Sequence, residues 1–230
     1  MDRGELSAGF YDSMSVLVGV VPFGIACGIM GVGAGLSKAE TTLMSMLVFA
    51  GSAQFVSINM LSQGISGLGL IWFTTFLINL RHLLMGASLA PLLKNVSLRV
   101  QALLAFGMVD EAYALSISRT STRGYSLGYQ FGASAGFYLG WTLSTVVGVT
   151  LGSYIPDPLS WGLDFAMPAT FLALLVPRLT DKISLSVFAA AATTALLGAV
   201  YLPGKWYILL AALVGCLLGG ILEGGAKNEQ

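Results

Sequence analysis

Charged side chains are scarce in this sequence of 230 residues, since Asp, Glu, Lys and Arg together make up only 10% of it. A soluble domain usually carries about a quarter charged residues, because its surface must meet water. Hydrophobic residues make up 56% of the chain, and its mean hydropathy is +0.82. The charges are too few to coat a globule in water. We therefore predict an integral membrane protein whose main partner is the lipid bilayer.

An excess of either charge is also missing, because eleven Lys and Arg balance eleven Asp and Glu. Nucleic-acid binding needs a basic face that releases counterions, so we predict no nucleic-acid partner. Histidine occurs once, at His82, which excludes metal chemistry of the HExxH type. The cysteines, Cys27 and Cys216, are isolated in apolar segments and indicate neither a disulfide framework nor a metal site. With no P-loop or catalytic pattern present, we predict no cofactor, no metal and no enzymatic activity.

Apolar runs long enough to cross a membrane dominate the rest of the sequence. A helix needs about 20 mostly apolar residues to cross the hydrocarbon, because its backbone amides must all be satisfied internally. We predict an all-α, multi-pass helix bundle of seven or eight spans in the cytoplasmic membrane, forming one domain over residues 1–230. The candidate spans are 13–35, 41–62, 66–92, 100–118, 131–155, 160–177, 183–202 and 206–222.

Several prolines and glycines predict broken helices within these spans. The third span is long enough to break at Gly86 or Pro91, while Pro22, Pro168 and Pro177 lie within or at the ends of other spans. Broken helices expose backbone groups, which is tolerable only in a protein interior or a watery cavity.

A faint internal repeat is also visible. "FAGSAQF" at 49–55 matches "FAMPATF" at 165–171 in four of seven positions, at an offset of half the chain. Repeated halves with interrupted helices are a common transporter plan, although common residues such as Ala and Phe can match by chance. We predict repeat halves over 9–118 and 125–222, parallel if an even number of crossings separates matching segments and inverted if the number is odd.

Two groups of polar residues lie in apolar segments, where their burial in lipid would cost free energy. Arg81 and His82, with Asn79 beside them, interrupt the longest uncharged tract, and Asp110 and Glu111 follow in the next apolar segment. An ionisable side chain at mid-membrane costs several kcal/mol, so such residues usually face an interior or a cavity. They either line a path for a charged or zwitterionic solute or form a structural ion pair between Arg81 and one of the carboxylates.

The same residues are the candidates for ion coupling or gating. His82 could exchange a proton near neutral pH. Asp110 or Glu111 is the alternative proton carrier, and the pattern favours the carboxylates slightly.

Uncharged polar residues cluster in the second candidate span, in "GSAQFVS" at 51–57. Gln54 and Ser57 are three positions apart and share a helix face. Their amide and hydroxyl groups could bind a substrate carboxylate or ammonium, or could equally form interhelical hydrogen bonds. The substrate-binding candidates in this segment are Gly51, Ser52, Gln54, Phe55 and Ser57, and those in the next span are Asn79 and Arg81. Phe49, Met85 and Met108 are further candidates, with Phe55, to wall an apolar substrate side chain.

Three motifs in order carry a family resemblance. "GSAQF" at 51–55, "NLRHLLMGASLAP" at 79–91 and "DEAYAL" at 110–115 resemble the AzlC-type branched-chain amino acid exporters, and so does the opening "GFYDSMSVLVGVVPFGIACG" at 9–28. The resemblance covers most of the chain and is strongest over 9–119. It implies the large subunit of a secondary exporter of branched-chain amino acids, with methionine as a further substrate in some members. It also implies a small AzlD-type membrane subunit as partner and an ion gradient, expected to be protons, as the driving force.

Two other functions fit the composition. A channel for small polar solutes would conduct without saturation or proton coupling. A non-transporting scaffold subunit would use Arg81, Asp110 and Glu111 only structurally, so that neutralising them would lower abundance rather than transport rate.

Overall fold

The computed structural model describes residues 2–65, 67–154, 179–202 and 206–227, together with residues 172, 175 and 176. Every regular element within these ranges is helical, which confirms the predicted all-α membrane fold. The chain divides into two compact units, Met1–Ala166 and Met167–Gln230.

The first unit contains seven α-helices and one short 3-10 turn in its described part. They are α1 (Arg3–Gly33), α2 (Lys38–Leu47), α3 (Gly51–Ser62), α4 (Leu68–Leu89) with the 3-10 turn Ala90–Leu93, α5 (Leu98–Phe106), α6 (Asp110–Arg123) and α7 (Leu127–Gly152). In the second unit, α8 (Lys182–Tyr201) packs against α9 (Trp206–Lys227).

Four helical stretches of the described chain are long and apolar enough to cross a membrane. They are Arg3–Gly33, Leu68–Leu93, Leu127–Gly152 and Lys182–Tyr201, and Leu210–Leu222 is a shorter apolar helix. The predicted span 160–177, which includes "FAMPATF", falls almost wholly outside the described residues. The count of seven or eight spans therefore stays a prediction.

Two of the predicted spans contain interrupted helices, which agrees with the predicted broken helices, although neither interruption falls at a proline named above. The span predicted over 41–62 is interrupted at residues 48–50, between the 10-residue α2 and the 12-residue α3. The span predicted over 100–118 is interrupted at residues 107–109, between the 9-residue α5 and the 14-residue α6. None of these four helices is long enough to cross alone at about 1.5 Å per residue, but each consecutive pair has the length of one span.

A glycine that packs against α7 lies at each interruption. A Cβ atom at Gly51 would lie 2.9 Å from Cη2 of Trp141, and one at Gly107 would lie 2.9 Å from Cβ of Ser134. Real Cβ atoms essentially never come so close, so only glycine fits at either position. Of the other predicted breaks, those at Gly86 and Pro22 are not seen, because α4 continues through Gly86 and α1 through Pro22. The alternative break at Pro91 is seen, since α4 ends at Leu89 and the 3-10 turn that contains Pro91 follows. Pro168 and Pro177 lie outside the described residues.

Helices α1 and α7 form the most closely packed pair. Gly28 of α1 lies against the Thr145 carbonyl of α7, and Gly148 of α7 lies against the Ile25 carbonyl of α1. A Cβ atom would approach these oxygens to 2.3 Å and 2.0 Å, so the backbones touch directly. Small residues give such contact in lipid, where there is no hydrophobic drive for helices to associate.

The paired positions advance together along α1 and α7, from Gly9 beside Tyr129 to Gly28 beside Thr145. The two helices are therefore parallel. Because successive spans alternate in direction, two parallel spans are an even number of crossings apart in span order, with an odd number of other spans between them. The intervening chain supplies three if α2 with α3, α4, and α5 with α6 each cross once. The duplication itself remains a prediction.

Candidate functional site

The two helix interruptions meet at Arg81, near the middle of the span Leu68–Leu93. Arg81 Nη1 donates to Oδ2 of Asp110 at 2.6 Å, and Asp110 is the first residue of α6. Arg81 Nη2 donates to Oγ of Ser52 at 3.2 Å, in the first turn of α3. One guanidinium thus bridges the N-terminal ends of two broken-helix halves, about midway along a membrane span. The structure resolves the predicted choice of carboxylate in favour of Asp110.

The electrostatic potential around Arg81 favours the binding of an anion. A helix N-terminus carries about half a positive charge, and here two of them accompany the full charge of Arg81. The negative charge of the Asp110 carboxylate offsets part of this positive charge. The side chains of Arg81 and Asp110 remain 30% and 25% exposed. Arg81 Nε is buried and has no hydrogen-bond partner within the described residues. The guanidinium therefore keeps capacity for a further acceptor.

A cavity of about 210 Å³ opens between the two interruptions. This is below the 300–1,000 Å³ of pockets for drug-sized ligands, so it suits a molecule of amino-acid size. Asn79 and His82 of α4 give it a polar side. The other lining residues come from the two interruptions and the end of α5, and they are Val48, Phe49, Ala50, Ala105, Phe106 and Met108.

The polar side of the cavity has an unused acceptor. Oδ1 of Asn79 is buried and has no hydrogen-bond partner in the described structure. His82 Nδ1 lies 3.2 Å from the Asn79 carbonyl oxygen. If Nδ1 carries the proton in that hydrogen bond, Nε2 is left to accept one. A buried polar atom without a partner costs about 1–3 kcal/mol, which a bound donor would offset.

Gln54 lies in a different environment from the one that the substrate hypothesis requires. It is 1% exposed, and its Nε2 donates to Ser45 Oγ at 2.8 Å and to Cys27 Sγ at 3.9 Å. Its Oε1 accepts from Trp141 Nε1 at 3.0 Å, and Ser45 Oγ donates to Thr145 at 3.0 Å. This network joins α1, α2, α3 and α7, as the interhelical alternative predicts.

The other candidates do not line the cavity. Phe55 is buried against Trp141 with ring centroids 6.3 Å apart, and Ser57 Oγ donates to the Ala53 carbonyl within α3. Gly51 lies under Trp141, and Glu111 is half-buried in the first turn of α6. Met85 belongs to an apolar cluster with Leu89, Leu93, Leu104 and Met108.

Four lining residues were not predicted from the sequence, and they are Val48, Ala50, Ala105 and Phe106. Their signal was present but weak: Val48 and Ala50 lie in the first interruption, and Ala105 and Phe106 come directly before Gly107 in the second. An apolar residue before a glycine is common in membrane segments. Only the convergence of the two interruptions distinguishes these positions.

Comparison with known proteins adds the family. The family model for "AzlC protein" matches residues 15–155, which contain every residue of the site described above. The chain belongs to the AzlC family. The resemblance found in the motifs is thereby confirmed over more than half of the chain.

Relatives of this AzlC-family chain include both unassigned and named membrane proteins. An uncharacterized membrane protein of Archaeoglobus fulgidus is 33% identical over 92% of this chain and 93% of its own. Inner membrane protein YgaZ of Escherichia coli is 30% identical over 92% of this chain and 86% of its own. The branched-chain amino acid transport protein AzlC of Bacillus subtilis is 28% identical over 76% of this chain and 70% of its own. No solved structure matches. The chain is a multi-pass membrane protein of a transport-related family.

Proposed function

We propose that this chain is the large subunit of a secondary transporter that exports branched-chain amino acids, and methionine as a further substrate, across the cytoplasmic membrane. The observation that carries the proposal is the cavity between the two helix interruptions, which has a polar side on α4 and an apolar side elsewhere. Discontinuous helices with a site near the bilayer midplane are a recurring plan in secondary transporters. The name of the Bacillus subtilis relative supports the choice of substrate.

We assign the three parts of a zwitterionic substrate to residues of the cavity lining and to Arg81, which does not line the cavity but is the sequence neighbour of the lining residue His82. The ammonium would donate to Oδ1 of Asn79, which has no other partner among the described residues. The substrate carboxylate would bind at Arg81, whose guanidinium would then donate hydrogen bonds to both the substrate and Asp110. The aliphatic side chain would pack against the apolar lining, including Met108. Burial of that side chain is worth about 1.5–3 kcal/mol.

Proton coupling is proposed at His82 in preference to the carboxylates. Asp110 already has a cationic partner 2.6 Å away in Arg81, whereas His82 borders the cavity. A proton taken up at His82 would put a second cation beside the substrate ammonium, so proton and substrate binding would oppose each other. Such opposition is what an exporter that exchanges protons for substrate requires.

The test is transport in proteoliposomes loaded with radiolabelled valine, leucine or methionine, with and without a small AzlD-type subunit. We expect saturable, concentrative flux that a pH gradient drives and a protonophore abolishes. Flux that does not saturate and ignores the pH gradient would indicate a channel. No flux above that of empty liposomes, with either subunit composition and under any ion gradient, would contradict the transporter and favour a scaffold.

A further inference from the structure

Phe49 has a strained backbone in the interruption between α2 and α3. Its φ is 46°, and it alone has a positive φ among the described non-glycine residues. For a bulky side chain this conformation is an outlier that costs about 1–3 kcal/mol, and such strain concentrates at functional sites. Glycine would adopt it freely. The phenyl ring therefore contributes something here that offsets the cost.

The ring of Phe49 belongs to a group of three aromatic rings in mutual contact. Its centroid lies 5.1 Å from that of Tyr138, in an edge-to-face arrangement, and 6.2 Å from that of Phe106. The Phe106 and Tyr138 centroids are 5.8 Å apart. Each aromatic pair of this kind is worth about 0.5–1.5 kcal/mol beyond burial. We refer to Phe49, Phe106 and Tyr138 as the aromatic cluster.

Tyr138 fixes the aromatic cluster to the end of α2. Its hydroxyl donates to the carbonyl oxygen of Met46 at 3.1 Å. Met46 lies in the last turn of α2, where carbonyls lack intrahelical donors because the helix stops. Tyr138 thus satisfies a backbone group that the interruption leaves free, and its ring holds the two phenylalanines in place.

Two rings of the aromatic cluster line the same cavity as Asn79 and His82 of α4. Phe49 lies in the first interruption, and Phe106 is the last residue of α5, directly before the second interruption. Both residues line the cavity. We propose that Phe49 and Phe106 form the wall that selects the substrate side chain, and that Tyr138 is the residue that positions this wall. The proposal rests on the amino-acid transport function proposed above and names the residues that set its specificity.

The chemistry of the wall favours short branched side chains. Phe49 and Phe106 contribute two rings to a cavity of about 210 Å³, so we expect a compact isopropyl or isobutyl group to fill the space and touch both rings. Removing one ring leaves a gap that a short side chain cannot reach. The longer and more flexible methionine side chain can adapt to such a gap.

Phe106→Ala tests the wall, with Phe76→Ala as the matched control. The two phenylalanines are 46% and 49% exposed, but Phe76 stacks on Trp72 and does not line the cavity. We expect Phe106→Ala to lower kcat/KM for valine relative to methionine about tenfold, the scale of a small change in an apolar pocket. Phe76→Ala should leave the ratio unchanged. An unchanged ratio in Phe106→Ala would overturn the proposal.

Tyr138→Phe tests the positioning role, because it keeps the ring and removes only the hydrogen bond to Met46. We expect the KM for valine to rise about two- to fivefold, the size of one net hydrogen bond, with kcat and protein abundance unchanged. A purely structural role would lower abundance and leave the valine-to-methionine ratio as it is. That result would overturn the assignment of Tyr138.

Binding to the detergent-solubilised protein separates this proposal from the transport function. Valine and methionine are titrated against thermal unfolding of wild type, Phe106→Ala and, if the alanine variant does not fold, Phe106→Leu. Selective valine binding that the variants lose supports the wall, even if the liposomes show no flux and the transporter hypothesis fails. Binding without selectivity, or no binding at all by wild type, overturns the wall.

Discussion

Two amide side chains in the apolar part of this chain, Gln54 and Asn79, have opposite surroundings. Gln54 is fully buried, and both its donor and its acceptor atoms are hydrogen-bonded to neighbouring helices. Asn79 borders the cavity, and its buried Oδ1 has no partner within the described residues. The first arrangement holds helices together, whereas the second leaves binding capacity unused. Of these two amides, Asn79 is therefore the better candidate to bind a ligand.

The same contrast divides the first unit. Around α1 and α7, backbones touch at glycines and the polar atoms of Gln54 are satisfied. Around the two interruptions, Phe49 has a strained φ and a cavity remains open. We expect substitutions in the first region to act on stability and those in the second to act on transport.

The largest effect is expected at Gly28, in the closely packed region. Gly28→Ala puts a Cβ atom 2.3 Å from the Thr145 carbonyl oxygen, so α1 and α7 must separate. Overpacking of this kind costs about 3 kcal/mol. The folded fraction after detergent extraction and its melting temperature measure the loss. Gly19→Ala is the control, because nothing lies within 4 Å of the Cβ position there. Equal stability of the two variants would contradict the close contact.

The next effect concerns the ion pair between Arg81 and Asp110. Arg81→Gln should abolish transport and destabilise the protein by about 2 kcal/mol, between the values for exposed and buried pairs. In the reversed pair, Arg81→Asp with Asp110→Arg, we expect abundance to return without transport, because Arg81 no longer faces the substrate carboxylate. Full transport by the reversed pair would show that Arg81 is only a structural partner.

Removing each amide in turn tests the contrast between Gln54 and Asn79. Gln54→Leu leaves the buried Trp141 Nε1 without its acceptor, so we expect a loss of about 1–3 kcal/mol of stability and an unchanged KM. Asn79→Leu removes an acceptor that has no partner among the described residues, so we expect unchanged stability and at least a tenfold loss of kcat/KM. Melting temperatures and proteoliposome flux are measured on both variants. The reverse outcome, with Gln54 controlling KM and Asn79 controlling stability, would invert the comparison.

The smallest effect is expected at Asp181, which lies in neither region and provides the baseline for acid sensitivity. Its carboxylate caps α8 by accepting from the Ser184 backbone N–H at 2.6 Å, and this hydrogen bond lowers the pKa of Asp181 below its ordinary value of 3.8. Because the folded pKa is lower, its stabilisation is complete above that ordinary value and disappears as the pH falls through the folded value.

Wild type should therefore be slightly more stable than Asp181→Asn at neutral pH, and this difference should vanish in acid below the folded pKa. Melting temperatures of both proteins across this pH range provide the measurement. A difference that grows in acid would contradict the sign.

The sequence by itself determined the solvent of the protein and the elements in which its polar residues lie. The shortage of charge required a membrane, and apolar runs of span length required helices. Opposite charges in neighbouring apolar segments made an ion pair one of two predicted alternatives, and the structure forms such a pair between Arg81 and Asp110, 29 positions apart. These inferences succeed because composition and local pattern set the cost of burying charge and backbone in lipid.

Tertiary structure alone decided where the helices break. It also decided which amide has an acceptor without a partner among the described residues. The interruptions fall where Gly51 and Gly107 meet α7, and such contacts join residues far apart in sequence. Gln54 and Asn79 are equally plausible ligands by residue type, but only packing gives Gln54 its partners on α2 and α7. The cavity likewise exists only because two interruptions meet. A local pattern cannot encode that meeting, since it depends on how separate helices approach one another.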